Sequence, residues 1–163
     1  MSTQAQTLAD AFEFTRKYAL GYYEKLKEKD IYKEFEVENK KLNSVYWLMG
    51  HLAVTENYLL LRASHGEIVR FAWARPFGLG GSMPAEADRV PIAEILTTME
   101  QVHNKAMTHI RSLTDEQLAQ PCYGDLKFGD GSVKSIILHA IRHEGTHAGH
   151  LGWLCKLHGI KNI

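Results

Sequence analysis

The sequence predicts an all-α protein, a four-helix bundle with a long crossover loop between the second and third helices. Three observations carry that expectation. Four segments place apolar residues at spacings of three and four, the mark of a buried helix face. No segment shows the strict alternation of a half-buried strand. Between the second and third periodic segments, residues 64–90 hold Gly66, Gly78, Gly80, Gly81, Pro76 and Pro84 without any sustained period. At 163 residues the chain is long enough for one core and too short for two, so one domain over 1–163 is expected.

The first helix is expected over 4–28, with Leu8, Ala11, Phe12, Tyr18, Tyr22 and Leu26 on its buried side. The second covers 43–62, with Asn43 and Ser44 as candidate N-caps for VYWLMGHLAVTENYLLL, a run apolar on nearly all sides. A crossover as long as 64–90 is usually functional in a compact fold and is expected to line a pocket mouth. Pro91 suits the first turn of the third helix, whose inward stripe reads Ile92, Leu96, Met99, His103, Ala106, Ile110 and Leu113. After TDEQLAQP and the turn-rich GDLKFGDGS, the fourth helix runs from about Val133 to His158, with Ile136, Ile137, Ala140, Leu151 and Leu154 toward the core.

Composition narrows the function. Nineteen basic and nineteen acidic residues cancel, and the basic ones are scattered, so nucleic acid and acidic membranes are not expected partners. The opening MSTQAQTLADAFEF lacks a basic start before an apolar run, and no stretch approaches the roughly 20 apolar residues that span a bilayer; a cytoplasmic protein is expected. The two cysteines, Cys122 and Cys155, have no CxxC spacing, so any metal must rest on His and carboxylate.

Five of the nine histidines fall in the last 25 residues, where even spacing would put about one or two. On a helix His139, His143, His147 and His150 lie within roughly 80° of one another, on the side of Ala140, Leu151 and Leu154. Two imidazoles at i and i+4 on an apolar face repel when protonated, and a cation that binds them neutral resolves the conflict. His143 and His147 are therefore candidate metal ligands. His51, on one stripe with Trp47, Val54 and Tyr58, is the candidate third. The alternative is that these are core histidines bonded to backbone or hydroxyl groups. His103, His139 and His150 are expected behind the ligands or along a pocket, and His65, His109 and His158 near helix ends or on exposed faces.

HEGTH at 143–147 matches the HExxH of zinc proteases, in which the Glu is the general base. Residues 145–163 contain no Asp or Glu, which excludes the class with a later acidic ligand. The class HExxHxxGxxH fails too, because His150 stands where Gly is required and Trp153 where His is required. Glu144, about 100° round the helix from His143, reads as a surface carboxylate or one behind the ligands, as does Glu56 relative to His51.

NSVYWLMGHL (43–52), TDEQL (114–118) and HAIRHEGTHAGHLGWLCKLHG (139–159) together resemble the DinB/YfiT-like family of metalloenzymes, over the whole chain. The resemblance implies a four-helix bundle with a long second crossover. It also implies a metal on one His of the second helix and two at i and i+4 on the fourth, which match His51, His143 and His147. It further implies chemistry like that of transferases and isomerases that use low-molecular-weight thiols.

The resulting expectation is a metal-dependent transferase or hydrolase acting on a small-molecule substrate at three histidines. The ion is zinc or nickel, with a thiol as a second cofactor; no catalytic side chain is assigned. The rival is a stress-related, non-catalytic binding or interaction bundle in which a metal only tightens the core. Gly145, Gly149 and Gly152 form a small-residue stripe, expected either to admit a homodimer partner or to accommodate a large neighbour of the same chain.

Overall fold

The computed structural model describes residues 2–125 and 128–161. Among these, four long helices dominate: α1 (Gln4–Leu26), α2 (Val45–Glu56), α3 (Ile92–Arg111) and α5 (Val133–Leu157). Between the last two lies a single-turn helix, α4 (Asp115–Leu118). Side-chain caps start all of them but α3, which Pro91 precedes. Thr3 and Gln6 exchange side-chain and backbone bonds in a capping box at α1, and Thr114 and Gln117 do the same at α4. Ser44, not Asn43, caps α2 by accepting from the Trp47 amide, and Ser132 caps α5. α5 stops where Gly159 takes φ +78°, a left-handed turn that brings the Ile160 amide back to the Cys155 carbonyl.

Packing follows the periodicity with corrections. α2 is buried all round from Val45 to Ala53 and continues beyond Glu56 as a π-helical segment, Asn57–Arg62. On α5, Ile136, Ile137, Ala140, Leu151 and Leu154 are all buried. On α1 Leu8, Phe12 and Leu26 are buried as expected, but Ala11 is exposed, Tyr18 is 54% exposed and Tyr22 is half-buried, while Ala5, Ala9, Arg16, Ala19 and Tyr23 complete the inward face. Ala5, Ala9 and Ala19 on that face suit the extensive packing of α1 along α5. On α3 the buried line centres on Ile95, Met99, Val102, Ala106 and Ile110, leaving Ile92, Leu96, His103 and Leu113 half-buried at its margins.

The connections hold structure that the periodicity did not announce. Glu36–Val37 (β1) pairs antiparallel with Lys40–Lys41 (β2) round Glu38 and Asn39, both at positive φ. Within the crossover, Ala72–Phe77 and Glu86–Asp88 form 3₁₀ turns, and Trp73 and Phe77 enter the core. Asn57 anchors this crossover by bonding both the amide and the carbonyl of Val69 at 2.9 Å. Of the turn-rich 124–132, Leu126 and Lys127 lie outside the described residues. The glycine stripe of α5 is met in part by α1: a Cβ on Gly152 would lie against the Tyr22 ring and one on Gly145 against Thr15, whereas Gly149 faces open space. No helix among the described residues is long and apolar enough to cross a membrane.

Candidate metal centre

α2 and α5 bring His51, His143 and His147 together. His143 Nε2 lies 3.3 Å from His51 Nε2 and 3.2 Å from His147 Nε2. A tetrahedron with metal–nitrogen arms of about 2.0–2.1 Å has edges of about 3.3–3.4 Å, so this spacing is that of imidazoles sharing one ion. The i, i+4 relation on α5 supplies two of the nitrogens, and the burial of α2 directs the third at them.

The surroundings fix which nitrogen faces the centre. His51 Nδ1–H donates to the Phe77 carbonyl at 2.7 Å, leaving Nε2 with its lone pair toward the other two rings. The His51 ring stacks on Trp47 at a centroid distance of 4.6 Å, and Trp47 Nε1–H donates to the Pro76 carbonyl at 3.0 Å. Two successive carbonyls of the crossover thus hold the α2 ligand and the ring beneath it. His147 Nδ1 lies 3.2 Å from His150 Nδ1, so His150 sets the orientation of His147 from behind.

All three ligand candidates are held neutral. Burial lowers His51, and burial followed by neighbouring imidazoles lowers His143 to about 4 and His147 to about 3. Three lone pairs directed at one another without protons between them repel, and a cation at their midpoint relieves this. The residues present therefore fit a divalent ion.

Histidines outside the triad divide into two groups. His139 stacks on Phe128 at 3.4 Å and lines the same cavity as the triad, with Arg142 donating to its Nδ1. His103 does not join the site: its Nδ1 bonds Glu56 at 2.9 Å, and it lines a different hollow between α1 and α3. His65 donates to the Pro121 carbonyl, His109 reaches Ser64, and His158 caps α5.

Of the two places the sequence allowed Glu144, the surface is ruled out. Glu144 and Glu56 are both fully buried and close on Arg16, at 2.7 Å each. Burial opposes the guanidinium's charge, but the two carboxylates outweigh it and raise Arg16 above its ordinary value. Burial also lifts Glu144 to about 7 against the pull of Arg16, with Glu56 adding to the rise. Sequence reasoning missed Arg16 altogether. The available signal was a cation on the stripe of Phe12 and Ala19, facing a carboxylate on α2 and another on α5.

A cavity of about 510 Å³ opens against the triad, walled by α2, α5, Phe128 and the crossover residues Gly78, Leu79 and Gly80. The crossover lines the pocket mouth, as its length led one to expect.

With this geometry, the comparison with known families becomes decisive: the sequence matches the DinB superfamily over residues 11–151. The chain belongs to the DinB superfamily. The match covers α2 and α3 whole and most of α1 and α5, and includes all three clustered histidines. No curated protein matches the chain.

Proposed function

We propose that this member of the superfamily is a metal-dependent enzyme of small-molecule chemistry, with one zinc or nickel ion on His51, His143 and His147. The carrying observation is that His143 Nε2 lies 3.2–3.3 Å from the Nε2 atoms of His51 and His147, with ligand atoms of all three within 4.8 Å of one another beside an open cavity. A bound ion would supply a Lewis acid with a position for a thiolate or a water, the chemistry of a transferase or hydrolase. The chain's own residues do the rest. His51 is oriented by the Phe77 carbonyl, His147 by His150, and the apolar wall limits water at the site.

The cavity also weighs against the rival reading of a purely structural metal, for which four protein ligands and a closed pocket would serve better. Proteolysis has little support, because the Glu of HEGTH is committed to Arg16. The test is elemental analysis of protein purified without a His tag. Wild type should carry about one equivalent of zinc or nickel, and His147→Ala almost none. Wild type that binds no metal even when it is supplied would end the proposal.

A further inference from the structure

Among the described residues lining the cavity against the triad, none carries a carboxylate, ammonium or guanidinium. Its walls are Trp47, Val54, Tyr58, Leu59, Leu79 and Phe128. The hydroxyl of Thr55, one of the few polar groups there, already donates to the His51 carbonyl at 2.7 Å. Arg142 donates to His139 but does not line the cavity.

The charge pattern is thus lopsided. Three neutral imidazoles leave the full double charge of a divalent ion at one wall, which favours an anion there. Elsewhere the described wall offers only the neutral polar groups of Asn43, Thr55, Tyr58 and His139, so a charged group would lose its water with no counter-charge to replace it. Flat surfaces also abound: Phe128 and His139 are stacked with an interplanar angle of 9°, and such faces suit an aromatic guest. At the mouth Leu79, between Gly78 and Gly80, is 92% exposed, an apolar side chain held in water where it could cover an apolar guest.

We propose that the cavity takes a small molecule with a single anionic, metal-binding head and an uncharged, mainly aromatic body. This deepens the metal reading above and rests on it for the head, while the body is recognised by the chain alone. Molecules carrying further charges beyond the head are excluded by the wall rather than by size, since about 510 Å³ lies well within the range of pockets for drug-sized ligands.

The experiment is calorimetry on zinc-loaded protein with three hydroxamates that share one head. Acetohydroxamate reports the head alone, 4-phenylbutanoyl hydroxamate adds an aromatic body, and succinic monohydroxamate adds a charged one. The phenyl compound should bind at least tenfold tighter than acetohydroxamate, and the succinyl compound no tighter than it. Leu79→Ser, at an exposed position that leaves folding intact, should weaken only the phenyl compound, by several-fold; Val54→Asp should weaken it tenfold or more. Equal binding of the phenyl and succinyl compounds would overturn the proposal. Metal-free protein is titrated in parallel with 4-phenylbutanamide, which keeps the body and lacks the head. Binding there that Leu79→Ser weakens upholds recognition of the body even if the protein takes up no zinc, and no binding in either form refutes it.

Discussion

At Arg16 a guanidinium with 3% of its side chain exposed meets Glu56 and Glu144, each as deeply buried. Replacing it with Met leaves two buried carboxylates facing each other with only the His103 ring beside Glu56. Breaking a buried pair in this way costs about 3–5 kcal/mol, because the survivors keep their desolvation penalty. Urea denaturation at pH 7.5 should show that loss in Arg16→Met and recovery of most of it when Glu56→Gln and Glu144→Gln are added. A loss under about 1 kcal/mol would mean the three groups are not coupled as described. The same residues show what could and could not be read from sequence. His143 and His147 were legible because a helix fixes their relation within five residues, and His51 because its stripe is apolar. Glu144 could not be placed because its angle from His143 says only that it avoids the histidine cluster. It does not say that α1, more than a hundred residues earlier, offers it a cation.

Helix order and approximate bounds were legible because each long helix keeps its period for several turns, whereas the crossover obeys no period and had to be seen. Its 3₁₀ turn Ala72–Phe77 places two carbonyls over α2, one on Trp47 and one on His51. Gly50 makes this possible: a Cβ there would collide with the Phe77 ring. Gly50→Ala should therefore lift Phe77 and withdraw its carbonyl from His51. Overpacking of this kind costs about 1–3 kcal/mol. Losing the partner of a metal-binding imidazole typically weakens affinity about 10–100-fold. Competition against a zinc chelator would measure the second effect, and urea denaturation the first. Unchanged zinc affinity in a destabilised Gly50→Ala would show that the loop only supports the fold and does not orient the ligand.

At the scale of the molecule, one polar layer divides the core. On α1 Arg16 lies between Phe12 of one apolar cluster and Ala19 of the other; Glu56 falls between Leu59 and Ala53, and Glu144 between Ala140 and Ala148. His103 completes the layer from α3. The triad borders this layer through the adjacent residues His143 and Glu144, so acid acts on the whole fold in two opposing ways. His143 and His147 have folded values of about 4 and 3, below the roughly 6.5 of an unfolded imidazole. The unfolded chain therefore binds protons first, and the stability these rings contribute is present above pH 6.5 and drains away as pH falls toward 4. Glu144, raised to about 7, has the opposite sign: its contribution is present below the unfolded carboxylate value and is lost as pH rises through about 7. Comparing zinc-loaded with metal-free protein at each pH cancels the Glu144 effect to first order and isolates the ligands. In the folded protein, protons compete with the metal only near pH 4, not near 6.5. At a free zinc concentration a hundredfold over Kd, binding is worth about 2.7 kcal/mol. The resulting gap in Tm should persist at pH 5.5 and begin to narrow only near pH 4 and below. A gap that halves already at pH 6.5 would mean that the three imidazoles titrate as if in water, and that the burial seen around them does not hold in solution.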